Sequence, residues 1–147
     1  MTTLYERVEQ TRKGENPTLI CRVPSGWAVL GDTQFLRGYS LLLADPVVDD
    51  LNVLDTPGRA RFLLDMVLIG DALLEVTGAA RINYSVLGNS DPALHAHIIP
   101  RYDSEPEKLR RGPTAFYDRE NAPQFDAERD AALMAQLKKS IEKRLPR

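Results

Sequence analysis

The sequence predicts an α+β fold: about five antiparallel strands with a long helix packed on one face. Short runs of β-forming residues recur between turn residues, as is typical of strands. Residues 56–77 instead repeat apolar residues at three- and four-residue steps, which is the period of an amphipathic helix. The last two strands are joined by a loop of about six residues, which is too short for a parallel crossover. Antiparallel pairing is therefore expected.

The N-terminal part is predicted to contain one short helix and three strands. Thr3 and Glu6 match a capping box and Gly14 matches a helix stop, so the helix should span about residues 4–13. Glycine, proline and serine residues bound the strand candidates that follow. These strands are expected over residues 18–23, 27–30 and 35–43, the last with a bend at Gly38.

The rest of the chain is predicted to hold two helices and two strands. Thr56 and Pro57 supply a cap candidate and a proline at the first helical position, and the helix should end near Gly78. Strands are expected over residues 81–87 and 94–99, and Pro100 should close the second because it has no N–H to donate. Residues 103–123 are expected to form an extended loop. A final helix, capped by Asp126, should bury Leu133, Leu137, Ile141 and Leu145.

Composition limits the class of protein. The length of 147 residues suits one domain over residues 1–147, with its core at about residues 18–105 and a C-terminal loop and helix over residues 106–147. The formal net charge of -2 argues against nucleic-acid or membrane partners. A single cysteine excludes an internal disulfide, and we find no signal peptide and no apolar run of roughly 20 residues. A cytoplasmic protein is expected.

Both histidines of the chain, His95 and His97, lie in the last predicted strand. Residues i and i+2 of a strand point to the same face, so the two imidazoles should share one patch. Leu94, Ala96 and Ile98 should then face the helix-covered core. The preceding small, polar loop at residues 88–90 offers amide and hydroxyl donors.

Three interpretations of this pair stay open at this point. His95 and His97 can be ordinary, partly buried strand residues. They can also begin a metal site, although two histidines and the distant Cys21 would need carboxylates to complete a ligand set. Thirdly, a histidine can attack phosphorus and carry the phosphoryl group until water releases it. Donors such as those of residues 88–90 would then bind the phosphate oxygens.

Residues 88–101 resemble the signature of the histidine triad superfamily: a small polar loop, then alternating histidines in the pattern His-φ-His-φ-His-φ-φ, often continued by Pro-Arg. The order of strands and helix upstream is similar too, so the resemblance covers about residues 18–105. His95 and His97 match the central and third triad positions. The first position is Ala93, which has no side-chain donor.

The resemblance implies a homodimer that acts on small nucleotides without a cofactor. The expected activity is that of a hydrolase or nucleotidyl transferase which cleaves phosphoanhydride or phosphoramidate bonds through a histidine-linked nucleotidyl intermediate. One alternative is a nucleotide-binding protein of the same fold with little catalysis, because Ala93 interrupts the triad. A metal-dependent enzyme that uses the histidine pair is the third possibility.

The resemblance also implies roles for individual residues. His95 corresponds to the nucleophile and His97 to the residue that contacts the phosphate or the leaving oxygen. Asp32 is the candidate for binding the ribose hydroxyls, although Gly-Asp between strands is also a common turn. The candidate phosphate contacts are Asn83, Asn89 and Ser90. Arg101 is expected to be a solvated surface charge.

Overall fold

A computed structural model describes residues 2–146 and shows one five-stranded antiparallel sheet. Short 3-10 turns at Leu51–Val53 and Thr114–Phe116 join the longer elements. These longer elements are, in chain order, α1 (Leu4–Arg12), β1 (Leu19–Val23), β2 (Gly26–Leu30), β3 (Ser40–Ala44), α2 (Thr56–Thr77), β4 (Arg81–Ser85), β5 (His95–Arg101), α3 (Glu107–Arg110) and α4 (Ala131–Glu142). The predicted α+β class and the antiparallel β4–β5 pair are confirmed.

The sheet order β1-β2-β3-β5-β4 places β5 between β3 and β4. Ala96 and Ile98 are fully buried and face the core that α2 and α4 cover. We call the opposite side, which carries His95 and His97, the histidine face. Helix α1 covers part of it, because Val8 packs against the strand residues Val29 and Leu43. The sheet is therefore covered by helix on both sides, although unequally.

The two caps predicted for the helices at residues 4–13 and 56–77 differ in outcome. Thr3 and Glu6 form the expected capping box of α1. For α2, Asp55 and not Thr56 is the N-cap, and its side chain accepts a hydrogen bond from the Gly58 N–H. Because the Asp55 carboxylate accepts from a helix N–H that has no partner within the helix, the cap lies one residue earlier than predicted and Thr56 is the first helical residue.

Strand β3 begins at Ser40, so the predicted strand over residues 35–43 is wrong at its start. The buried Gln34 side chain donates to the carbonyls of Gly31 and Tyr39 and accepts from the Gly38 N–H. Gly38 has a φ of 95°, a backbone conformation that glycine adopts readily. These bonds hold residues 33–39 as a loop.

Strand β5 continues to Arg101, so Pro100 does not close it as predicted. Pro100 lies opposite Ile82 of β4, while the pairing with β3 ends at Ile98. Beyond Ile98 the strand has a neighbour on one side only, and a residue without an N–H is tolerated there. Strand β4 ends at Ser85, two residues earlier than predicted.

The segment after β5 is not wholly extended, contrary to prediction, because it contains α3 and a 3-10 turn. Asp126 does not cap α4: its carboxylate accepts from the Glu128 and Arg129 N–H groups in a turn before the helix begins at Ala131. Within residues 2–146, every helix is too short or too polar to cross a bilayer.

Candidate functional site

His95 is held in one tautomer by the backbone beside it. Its Nδ1 lies 2.7 Å from the carbonyl oxygen of Ala93, which can only accept a hydrogen bond. The ring proton must therefore be on Nδ1, which leaves the lone pair on Nε2. His95 and Ala93 are both buried, at 7% and 2% exposure. The predicted first triad position thus contributes its main-chain oxygen to the site.

The two histidine rings contact each other on the histidine face, as the alternation in β5 predicts. Their centroids are 4.9 Å apart in an edge-to-face arrangement. Leu43 lies opposite His95 on β3, and Leu41 lies opposite His97. On the other side, Ser85 of β4 is the direct partner of His97. The two imidazoles therefore project from the middle strand of three, with side chains of β3 and β4 next to them on the same face.

Tyr39 fixes the tautomer of His97. The Tyr39 hydroxyl is 2.6 Å from His97 Nδ1, and the two rings are nearly parallel with centroids 6.0 Å apart. Tyr39 is only 4% exposed, and among residues 2–146 His97 Nδ1 is the one acceptor that its hydroxyl contacts, so we assign the hydroxyl as the donor. The proton of a neutral His97 is then on Nε2, and the site combines a free lone pair on His95 with an N–H donor on His97.

Charge and burial keep His97 neutral. Burial is the largest cause that lowers its pKa to about 4, and the electrostatic effects of the neighbouring His95 and Arg119 act in the same direction. The Arg119 guanidinium stacks over Phe35 at 4.3 Å and lies 5.7 Å from the centre of the Tyr39 ring. At neutral pH, His97 is a hydrogen-bond donor and not an imidazolium.

A cleft of about 200 Å³ opens between α1 and the sheet, and its lining includes Tyr39 and the two β3 residues that pair with the histidines. Apolar side chains from β2 and β3 form its floor, and Tyr39 forms part of its wall. Arg7 and Asp32 provide charges at the same cleft. The apolar floor includes Val29, Leu41 and Leu43, two of which pair directly with the histidines across β3 and β5.

Asp32, the predicted ribose contact, lies at this cleft and already has a partner. Its carboxylate forms an ion pair of 2.7 Å with Arg7 Nη2, and Arg7 also donates to Asn16. The Asp32 side chain is 66% exposed, so one face of the carboxylate remains open to a ligand.

Asn83 lies on the histidine face but lines a different cavity from Asp32. Its Oδ1 accepts a hydrogen bond of 2.7 Å from Arg101. Arg101 is only 6% exposed, so the prediction of a solvated surface charge is wrong. It pairs with the buried Glu105 and donates to three main-chain carbonyls, which replace the water that its guanidinium loses.

Asn89 and Ser90 lie in the loop between β4 and β5, and both are exposed. The next residue, Asp91, accepts a hydrogen bond of 2.8 Å from the Leu4 N–H and so connects this loop to the start of α1. Their predicted contacts with phosphate stay predictions.

The sequence interpretation missed three residues around the histidines. Ser85 lies next to His97 through the β4–β5 register, and the alternation of Asn83 and Ser85 in β4 is the one pattern that could have indicated it. Tyr39 reaches His97 from the loop just before β3. Arg119 arrives from a loop about twenty residues after β5, and no local pattern indicates it. These three side chains complete the polar surroundings of His97.

The histidine pair does not have the surroundings of a metal centre. Within the part of the chain that the structure describes, no three histidine, cysteine or carboxylate side chains are grouped so that they could hold a metal ion. Cys21 lies in the core under the opposite face. A metal-dependent enzyme would need at least three such ligands, so these residues do not fit the metal-dependent alternative.

Neither a family sequence model nor a curated protein sequence matches the chain, but solved structures do. A histidine triad protein from Marinobacter aquaeolei aligns with a TM-score of 0.73 at 21% identity, over 85% of this chain and 88% of that one. A zinc-bound histidine triad family protein from Mycobacterium smegmatis gives 0.67 at 18%, over 95% and 98%. A diadenosine triphosphate hydrolase from Plasmodium falciparum, in complex with cyclomarin A, gives 0.65 at 13%, over 88% and 80%. The chain therefore has the fold of histidine triad proteins, as its sequence predicts.

Proposed function

We propose that this protein is a nucleotide hydrolase or nucleotidyl transferase that works through a nucleotide covalently bound to His95. The observation that carries this proposal is the Nδ1–H bond to the Ala93 carbonyl, which leaves Nε2 as a nucleophile. The fold supports it, because a structural neighbour is a diadenosine triphosphate hydrolase.

The reaction has two displacements at phosphorus. First, the Nε2 lone pair of His95 attacks the α-phosphorus of the nucleotide, and the bond to the leaving group breaks with its electron pair. The His95 ring then carries a positive charge, which the Ala93 carbonyl stabilises through the retained Nδ1–H. Water, or another acceptor in a transfer, next displaces the histidine, takes the nucleotidyl group and loses a proton to solvent as the P–N bond breaks. Nε2 regains its lone pair.

His97 assists by donating a hydrogen bond. Its Nε2–H would bind a phosphoryl or leaving-group oxygen, where negative charge develops. Because the His97 pKa is about 4, very little of the protonated form exists at neutral pH, and His97 is poorly suited to protonating a leaving group. A leaving group that departs as an anion, such as a phosphate, needs no proton, whereas an amine does. We therefore expect phosphoanhydrides to be better substrates than phosphoramidates.

The cleft beside the histidines is proposed to hold the nucleoside. Leu41, the partner of His97 on β3, supplies an apolar surface for a base. Asp32 is proposed to accept hydrogen bonds from the ribose hydroxyls, with Arg7 holding its carboxylate in place. The base itself is not specified by these contacts.

A hydrolysis assay with an intermediate trap tests this function. The protein is incubated with a dinucleoside polyphosphate or a nucleoside phosphoramidate, and nucleoside monophosphate is measured. Rapid acid-free denaturation and intact-mass analysis then test for a nucleotidyl group on His95. Nucleotide binding without product on every substrate would instead support the binding-only function, which Ala93 favours because it has no side-chain donor.

Replacing His97 and Tyr39 should have graded effects. His97→Ala removes a donor at the reacting phosphate, so kcat should fall by about 10²–10⁴-fold. Tyr39→Phe removes only the bond that orients His97, so kcat should fall by about tenfold with little change in KM. The control is Tyr5→Phe, at a tyrosine that is 51% exposed on α1. Equal activity of Tyr39→Phe and Tyr5→Phe would contradict the orienting role.

We also propose that the protein forms a homodimer through α2 and the edge strand β4. Leu63, Leu64, Val67 and Leu74 of α2 are exposed apolar residues, from 38% to 62%. Helix α2 packs closely on β4, since a Cβ at Gly70 would lie 2.0 Å from the Tyr84 hydroxyl. β4 has a neighbour on one side only, so its outer edge can pair with another strand.

Two charges on this surface should convert the dimer to a monomer. In Leu64→Glu/Val67→Glu, both new carboxylates would lose water at the interface without a partner, so association should weaken by at least about 100-fold. Analytical ultracentrifugation measures the mass. Phe116→Glu, at a 69% exposed residue away from α2, is the control and should leave the mass unchanged. A monomeric parent protein would refute the proposal.

A further inference from the structure

A second cavity, of about 350 Å³, opens on the histidine face where β4 begins and β5 ends. Arginine is the residue that characterises it. Its lining includes Arg81, Arg101, Arg110 and Arg111, together with Asn83 and Asp103. Arg101 lies four residues beyond His97, roughly 13 Å along the strand. Ile99 lies between them, 3% exposed and packed against Tyr39, so this cavity is separate from the candidate catalytic cleft.

The wall that carries Arg110 and Arg111 is fixed by the buried Arg101. The Arg101 guanidinium donates to the carbonyls of Leu109, Arg110 and Gly112 at 2.9–3.2 Å. It is itself held by Glu105. The loop is therefore anchored through its backbone, and the exposed arginine side chains extend from a defined position.

The cavity has more positive charge than its own carboxylates balance. Arg81 lies directly opposite Arg101 in the β4–β5 register, and like charges in that position destabilise a sheet. Glu105 balances Arg101, but within residues 2–146 Arg81 and Arg110 have no carboxylate within 4 Å. Arg111 has only Glu107, at 3.8 Å, with both side chains 77% exposed. Asp103 is the single carboxylate of the lining, in a chain whose net charge is -2.

Asn83 adds a neutral donor at the same place. Its Oδ1 accepts from Arg101, so the two N–H groups of Nδ2 are the donors that this lining residue can offer to a ligand. The lining thus offers guanidinium and amide donors, and planar guanidinium groups match the oxygens of phosphate in bidentate pairs.

We infer that this cavity is a binding site for a small phosphorylated anion, distinct from the nucleotide cleft beside His95. The cavity is confined, and the overall charge provides no extended basic track, so a small ligand fits better than a nucleic acid. Bound phosphate oxygens would relieve the repulsion between Arg81 and its neighbours.

Calorimetric titration with inorganic pyrophosphate tests the inference in the His95→Ala variant, in which the proposed turnover cannot occur. We expect saturable binding that weakens as salt increases. Arg110→Ala/Arg111→Ala should weaken it at least tenfold, because two donors are lost. Lys138→Ala/Lys139→Ala removes the same charge from exposed positions on α4 and should change affinity less than twofold. In NMR spectra, the Gly112 amide should shift on titration.

Other probes identify the ligand and its location. Phosphate should bind more weakly than pyrophosphate, and a phosphorylated sugar in parallel shows whether the free anion or its ester is preferred. Equal pyrophosphate affinity of the two double variants would overturn the site, as would shifts confined to residues around His97. Tighter binding of a DNA or RNA oligonucleotide than of pyrophosphate at the same residues would overturn the choice of ligand. The proposed function can fail in the hydrolysis assay while this binding is still observed.

Discussion

His95→Ala is expected to abolish turnover, by at least about 10⁴-fold in kcat, while nucleotide affinity stays within a few-fold. The nucleophile must lie in line with the leaving oxygen, and His97 cannot take that place. Its Nδ1 is occupied by Tyr39 and its Nε2 carries the proton. The cleft residues Arg7, Asp32 and Leu41 are unchanged in this variant, so binding through the cleft should persist. The measurement is single-turnover hydrolysis together with equilibrium binding of the nucleoside monophosphate.

A covalent test separates this role from general loss of structure. The parent protein and His97→Ala should both accumulate a nucleotidyl adduct, more slowly in the variant, whereas His95→Ala should show none. Free imidazole added to His95→Gly should restore part of the activity, because the small ring can occupy the vacated space. Full turnover in His95→Ala would exclude the proposed mechanism, even though the chain shares its fold with histidine triad proteins.

The histidine pair shows what strand periodicity can predict about the site and what it cannot. The alternation in residues 94–99 was enough to predict that His95 and His97 share a face, since a strand has only two faces. It could not predict Tyr39 or Arg119. Tyr39 is placed by the strand that lies beside β5, and Arg119 by a loop that returns to Tyr39, and both are properties of the tertiary structure.

Asp32 and Asn83 show a second limit. Both were predicted as ligand contacts, yet they line different cavities, because β2 and β4 lie on opposite sides of the β3–β5 pair. Asp32 forms an ion pair with Arg7 of α1, and Asn83 accepts a hydrogen bond from Arg101. The residue types of Asp32 and Asn83 indicated ligand contacts, but the strand order determined which residues they contact.

Arg101 was predicted as a surface charge because it follows an apolar strand and precedes a polar segment. Such a position usually exposes an arginine. Here Glu105, four residues later, and the carbonyls of residues 109–112 turn back over it. Proline punctuation after β5 suggested an extended loop, whereas the hydrogen bonds to Arg101 fold that loop around a buried cation.

Removing Arg101 is therefore expected to be among the most destabilising single changes in the chain. Arg101→Ala would leave the Glu105 carboxylate, only 3% exposed, without its cation, and would remove the donor from three carbonyls. Burial alone would raise the Glu105 pKa, but hydrogen bonds from Arg101, Tyr117 and the Tyr102 backbone keep that pKa below its usual value. Breaking such a buried pair costs about 3–5 kcal/mol of unfolding free energy.

Urea unfolding of single and double variants measures this loss and its origin. Arg111→Ala, at a side chain that is 77% exposed, should change the unfolding free energy by less than about 0.5 kcal/mol. Arg101→Met/Glu105→Met should be less destabilised than Arg101→Ala, because no buried carboxylate remains unpaired. If the damage is local, limited proteolysis of Arg101→Ala should cut first within residues 106–118, which the guanidinium no longer anchors. Stability equal to that of Arg111→Ala, with no new cleavage, would show that the Arg101–Glu105 pair does not hold this segment.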